Sequence, residues 1–152
     1  MVRLVSVLAA CGLALAASSA AALSGGPASA PGGGAAPQVR AQHLGSGSRQ
    51  VEGRLGQGDS IFGDGSYFDC YSFDVRAGQK VSIGMFSGDF DAFLSLHDGA
   101  ACDDLIESDD DSLGGSDPAI TWIAPRSGRY SIAANSLYED DTGIYGLALI
   151  IE

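Results

Sequence analysis

Apolar residues recur at every second position in one short run after another, and this alternation restricts the fold more than any other feature of the chain. In "YFDCYSFDV" (67–75), Tyr71, Phe73 and Val75 share one side. In "KVSIGMFS" (80–87) Val81, Ile83 and Met85 do so, and in "DAFLSLHD" (91–98) Ala92, Leu94 and Leu96. "AITWIA" (119–124), "RYSIAAN" (129–135) and "IYGLALII" (144–151) continue the pattern. Successive side chains on a strand point to opposite faces, so a period of two marks strands with one face buried. Turn chemistry separates the runs: "RAGQ", "SGD", "DGAACDD", "SLGGSDP", "PRSG" and "EDDTG". With "RQVEGRL" (49–55) and a short run at 105–107, the count is about eight strands. The expected fold is all-β, an antiparallel β-sandwich of jelly-roll-like type.

The first 47 residues read differently. Residues 1–22 have the layout of a secretory signal: Arg3, an apolar-rich run from Leu4 to Ala17, then A-x-A at Ala20–Ala22. A rival reading takes Leu8-Ala9-Ala10-Cys11 as a lipoprotein box, which would leave Cys11 lipidated, although only four residues separate it from Arg3. The apolar run is short of the ~20 residues that span a bilayer as a helix, and no later segment is long enough. Residues 23–47 are dominated by Gly, Ala, Pro and Ser and read as a flexible tether that includes an exposed His43, leaving 48–152 as the folded domain. The expected location is secreted, periplasmic or extracellular.

Charge excludes one class of partner. The net charge of −11 becomes −12 once Arg3 is removed with the signal, and ten acidic residues separate Lys80 from Arg126 with no Lys or Arg among them. Nucleic acid and anionic lipid are bound by Lys and Arg that displace counterions, and here the acidic residues far outnumber them. After signal removal the cysteines are Cys70 and Cys102, an even number in an exported chain, and a disulfide between them is expected.

Catalytic arrangements find little support. A nucleophilic serine needs a base, and the histidines are His43 in the tether and His97 at a strand end, read as exposed. Asp141-Thr142-Gly143 reproduces the triplet of aspartic hydrolases, but it follows "LYED" instead of an apolar strand. Two segments echo one another, "SGRYSIAA" (127–134) and "TGIYGLAL" (142–149). Their tyrosines are expected to bury their rings, with the hydroxyls reaching backbone at the sandwich edge.

The stretch "LIESDDDSLGGSDPAI" (105–120) places Glu107, Asp109, Asp110, Asp111 and Asp117 together without a cation. A solvated acidic turn is one reading; a calcium site is the other, since calcium takes six to eight oxygens from loops. The EF-hand template laid on Asp109 fails, because Leu113 falls at position 5 and Ile120 at position 12. If 109–111 is extended, Asp109 and Asp111 point one way and Asp110 the other. "GDFD" (88–91) offers Asp89 and Asp91 on a similar alternation. The expected ligands are Asp91, Asp109 and Asp111, then Asp89, Asp110 and Asp117. Magnesium is disfavoured by its tighter geometry, and zinc by the lack of Cys or His nearby.

Taken in order, "YFDCYSFDVRAGQKVSIGMFSGDFDAFLSLHD", "ESDDD", "APRSGRYSIAANS" and "TGIYGLALI" resemble the bacterial pre-peptidase C-terminal domain over about residues 48–152. Ser108 stands where that family often has Asn, and the cysteine pair is an addition to its pattern. The resemblance implies a β-sandwich attached to exported bacterial peptidases, with calcium-dependent collagen-binding modules among its relatives. The expected function is a secreted, non-catalytic accessory or binding module, calcium-stabilised, acting on an extracellular protein or polysaccharide surface. The alternative is a metal-independent structural or inhibitory envelope protein that binds another protein; an aspartic-type hydrolase comes third.

Overall fold

The computed structural model describes Val39 and residues 41–152; the signal segment, Cys11 and most of the expected tether lie outside the described residues. The described chain holds ten strands: β1 (Gln42–His43), β2 (Arg49–Leu55), β3 (Ser60–Ile61), β4 (Tyr67–Val75), β5 (Lys80–Ser87), β6 (Ala92–Asp98), β7 (Asp104–Asp109), β8 (Ala119–Ile123), β9 (Gly128–Ser136) and β10 (Gly143–Ile151). They form two sheets. The first runs β1-β4-β9-β6-β7 with β3 also paired to β4, and the second runs β2-β10-β5-β8. Set the two-residue strands aside and number the remaining eight in chain order. The sheets then read 2-7-4-5 and 1-8-3-6, the doubled Greek key of a jelly roll. All pairings are antiparallel except β1 on β4.

The alternation places the core as expected. Tyr71, Phe73 and Val75 of β4, Val81, Ile83 and Met85 of β5, and Ala92, Leu94 and Leu96 of β6 all lie in one buried cluster between the sheets. β2, β9 and β10 add Leu55, Tyr130, Ile132, Leu147 and Leu149.

The sandwich starts earlier than residue 48. Leu44 is buried in the core cluster and its N–H donates to the Ser72 carbonyl, while His43 meets Ser72 Oγ at 3.1 Å and Asp74 at 3.2 Å. One apolar residue with a burial site is enough to order the end of a stretch whose composition reads as a tether.

A second, smaller cluster lies on the outside of the first sheet: Phe68, Cys70, Cys102 and Ala133, with Val39, Ala41 and Phe62 packed against it. Cys70 and Cys102 are disulfide-bonded. Ala133 of β9 pairs with Cys70 of β4 on one side and Ser95 of β6 on the other. The bridge ties β4 to the β6–β7 connection, and a side chain as small as alanine lies in the cluster beneath it.

The two echoed tyrosines differ. Tyr130 donates to the Arg126 carbonyl at 3.2 Å, the backbone contact expected. Tyr145 instead donates to Asp69 Oδ2 at 2.6 Å, and its oxygen lies 2.6 Å from the Tyr71 hydroxyl. This network joins β10 of one sheet to β4 of the other. Burial raises the Asp69 pKa above its ordinary value, the Tyr145 hydrogen bond opposes the shift, and the charge of Asp59 adds to it. A carboxyl with a raised folded pKa supports folding fully below its unfolded pKa and loses that support as pH rises through the folded value. Asp69→Asn is therefore expected to be better tolerated at pH 7 than at pH 3 (either side of the ordinary carboxylate range). Melting curves of both proteins at the two pH values test this; equal shifts would show that Asp69 does not titrate on unfolding.

Candidate functional sites

The acidic loop leaves β7 at Asp109 and returns as β8 at Ala119. Asp109 closes it at both ends: its carboxylate accepts from Ser112 N–H at 3.1 Å, from the Ser112 hydroxyl, and from Ala119 N–H at 2.7 Å. Burial pushes the Asp109 pKa up, but these hydrogen bonds outweigh it and hold the group below the ordinary carboxylate range. Within the loop Gly114 N–H donates to Asp111 O at 2.8 Å, and Gly114 and Gly115 have φ of 91° and 76°. That left-handed pair reverses the chain, a conformation glycine adopts without steric penalty.

The turn changes which carboxylates meet. Residues 109–111 are not extended, so Asp110 does not point away from its neighbours: carboxylate oxygens of Asp109, Asp110 and Asp111 all lie within 4.8 Å of one another. Asp89, Asp91 and Asp117 are outside this group. Asp89 accepts from Ile144 N–H at 2.9 Å and so caps the start of β10. Asp91 precedes Ala92, whose N–H donates to Ser116 O of the loop at 3.3 Å, and Asp117, within the loop, accepts at its backbone carbonyl from Leu113 N–H at 3.0 Å. Three clustered carboxylates with turn carbonyls beside them form a donor set of the type calcium takes.

Beside the loop lies a surface that the alternation alone did not single out. The outward face of the second sheet is polar along β2, at Gln50, Glu52 and Arg54, and at Lys80, Ser82 and Thr121, but carries large apolar side chains on the other strands. Phe86, Ile123, Ile144 and Ile150 are exposed, as is Leu113 of the acidic loop. The paired Ala148, Gly84 and Ala119 run between them as a floor of small residues. Leu113 lies over this floor, its Cδ1 3.8 Å from where a Cβ on Gly84 would sit. The Phe86 ring lies across Gly146. The result is a shallow apolar trough that abuts the acidic loop. The signal was present in "IYGLALII" (144–151), where both faces of one strand are apolar. A half-buried strand needs only one such face.

The remaining catalytic candidates are placed as follows. Asp141 and Thr142 lie in the connection before β10. His97 is 5% exposed, not solvent-facing as a strand-end residue would be, and its Nε2 lies 2.9 Å from Ser95 Oγ. Its Nδ1 has no hydrogen-bond partner among the described residues, so no carboxylate orients the ring as in a catalytic triad. Among the described residues no helix is long and apolar enough to cross a membrane.

Comparison with known proteins agrees with this architecture. Residues 67–136, from β4 through β9, match the model of the bacterial pre-peptidase C-terminal domain. The fold is similar to the pre-peptidase C-terminal domain of a collagenase from Bacillus anthracis, at 19% identity over 74% of this chain and 95% of that one, with a TM-score of 0.52. It is also similar to PliG from Aeromonas hydrophila, a periplasmic inhibitor of g-type lysozyme, at 17% identity over 74% of this chain and 98% of that one, with a TM-score of 0.55. No curated protein matches the chain. At such identities the structural likeness concerns the fold, while the β4–β9 segment, residues 67–136, is what resembles the bacterial pre-peptidase C-terminal domain in sequence.

Proposed function

We propose that this domain is an exported, non-catalytic binding module that docks on another extracellular protein through the outer face of its second sheet, with calcium holding the adjoining acidic loop. The observation that carries the reading is the trough itself. Phe86, Ile144, Ile150, Ile123 and Leu113 present apolar side chains on one face of a protein whose core is already filled. Large apolar side chains gathered on one exposed face mark interaction sites. The disulfide supports an oxidising, exported location. The likeness to the PliG inhibitor favours a second reading of the same face, in which the bound protein is an enzyme that is thereby inhibited.

The face is tested with Phe86→Ser combined with Ile144→Ser on full-length protein. Partners recovered from culture medium by the unaltered protein are expected to be lost by the variant, and inhibition of a lysozyme by the unaltered protein would select the inhibitory reading. Equal recovery by both proteins, or recovery of polysaccharide alone, overturns protein docking through this face.

Calcium is tested separately. A ligand that binds only the folded state at a hundredfold excess over Kd stabilises by about 2.7 kcal/mol. For a domain of this size that raises the melting temperature by about 10 °C. Extracellular sites often bind at about 0.1–1 mM, so the titration must reach several millimolar. Asp109→Asn with Asp111→Asn should abolish the shift. Identical melting curves in chelator and in ~10 mM calcium would mean that the loop is only a solvated turn.

A further inference from the structure

β7 is the last strand of the first sheet and pairs with β6 alone. Among the described residues, no backbone hydrogen bond other than that ladder engages residues 104–108. Such an edge presents a row of free N–H and C=O groups, a template for a further strand. It also carries exposed apolar side chains, with Leu105 59% and Ile106 39% exposed.

Charge decides which strand could use this template. Folded proteins guard their sheet edges by placing charge on them, and β7 with its flank carries Asp103, Asp104, Glu107 and Asp109. No Lys or Arg lies between Lys80 and Arg126, and Arg126 is itself taken up by Asp98. A second copy of β7 laid alongside would set acid against acid, which repels. The guard is one-sided, however: a strand bearing Lys or Arg meets attraction.

The register then sorts the side chains of β7 onto two faces. Leu105 and Ser108 pair with His97 and Ser95 on the outer face of the sheet, while Asp104 and Glu107 pair with Asp98 and Leu96 on the other. Ile106 is the extra residue of a bulge, so the two acids stand opposite residues two apart and match the period of an incoming strand. On the outer face Leu105 and Ser108 border a cavity of about 360 Å³ walled by Phe62, Phe93 and Leu137. Phe62 is held there by stacking on Phe68 at 3.8 Å. Neighbouring strands lie about 4.8 Å apart. A long side chain on an added strand can therefore reach the cavity across Ser108, the smallest residue of β7.

From this arrangement we infer that β7 accepts a further strand from another protein, an extended segment with Lys or Arg at alternate positions and a large apolar side chain between them. The basic residues stand beside Asp104 and Glu107, and the apolar one enters the cavity over Ser108. Main-chain hydrogen bonds supply the affinity, while the acids and the cavity select the segment. β7 belongs to the first sheet, whereas Phe86 and Ile144 of the docking trough belong to the second, so this site stands whether or not the trough reading holds.

The test uses the full chain in chelator, which keeps metal off the acidic loop, with fluorescent acetyl-Lys-Thr-Lys-Leu-Lys-Thr-Lys-amide as probe. Anisotropy is expected to give a Kd of about 0.1 mM or below, and amide exchange at residues 104–108 should slow on binding. Replacing the central Leu of the probe by Ala should weaken it about tenfold, the effect of a partly buried apolar side chain. Asp104→Lys with Glu107→Lys changes two exposed residues; it should weaken the probe about tenfold and favour a probe with Glu in place of Lys. Phe86→Ser combined with Ile144→Ser should leave the Kd unchanged, which separates this site from the trough. Of two probes N-methylated on the odd or on the even amides, one should fail to bind, because only one set faces β7. Equal binding of both methylated probes and the parent would overturn the proposal, as would slowed exchange confined to residues 109–111; either would mark diffuse attraction of a cation to an acidic chain. A dimer of the protein alone, with residues 104–108 protected, would overturn it too by making a second copy the occupant.

Discussion

Replacing Cys70 and Cys102 together by alanine is expected to lower the melting temperature by about 15 °C or more. The bridged residues are 32 apart in sequence, and closing a loop of that length removes unfolded-state entropy worth about 4 kcal/mol on chain-entropy estimates. For a domain near 110 residues, each kcal/mol moves the midpoint by about 4 °C or more. The loss has a structural part as well. The bridge supplies half of the second cluster, and without it Phe68, Phe62 and Ala133 lose a buried neighbour. Melting the variant beside the unreduced parent checks the prediction. A drop of only a few degrees would mean that the outer cluster holds without its covalent tie.

Gly53→Ala should be the most damaging single methyl group in the second sheet, at about 2–3 kcal/mol, the upper range for overpacking a core. A Cβ at Gly53 would stand 2.2 Å from Tyr145 Cζ and 2.3 Å from its hydroxyl. That hydroxyl cannot swing aside, because Asp69 and Tyr71 hold it from the opposite sheet. Gly146→Ala is the control. Its Cβ would meet the Phe86 ring at 2.1 Å, an equally severe overlap on paper. Phe86 is 60% exposed, however, and can rotate into solvent, so the expected cost is within about 1 kcal/mol. Chemical denaturation of both variants decides the matter. If the two cost the same, the tyrosine network is not rigid. A Tyr145→Leu background should remove most of the Gly53→Ala penalty, as expected for residues in direct contact.

These two glycines show where the sequence is legible and where it is not. The inward positions of β4, β5 and β6 could be named from alternation, because a two-residue period is a local property. The pairing of Gly53 with Tyr145 joins residues 92 positions apart, and no local pattern reports that a missing side chain on one strand makes room for a ring on another. The acidic loop shows a similar division. Its carboxylates were evident, but their convergence depends on Asp109 bonding to Ser112 and Ala119. Once the chain turns at that point, the extended alternation no longer applies. His97 was misplaced for a related reason: it lines one cavity with Phe62, 35 residues earlier, and with Cys102, which its bridge ties to the distant Cys70.

The strand order also sets a timetable for synthesis. β2 has its partner in β10, and β10 also separates β2 from β5. The first sheet is complete once residue 136 has emerged, whereas the second stays split until residues 143–151 arrive. Until then the apolar inner faces of β4, β6 and β9 have no full layer to pack against. Pairing the first long strand with the last demands closure of the longest loop in the domain, and topologies of that kind fold in milliseconds to seconds, not microseconds. A nascent chain therefore remains open for its whole length before the sandwich closes, and shortening it by the final strand removes a sheet's centre instead of trimming its edge.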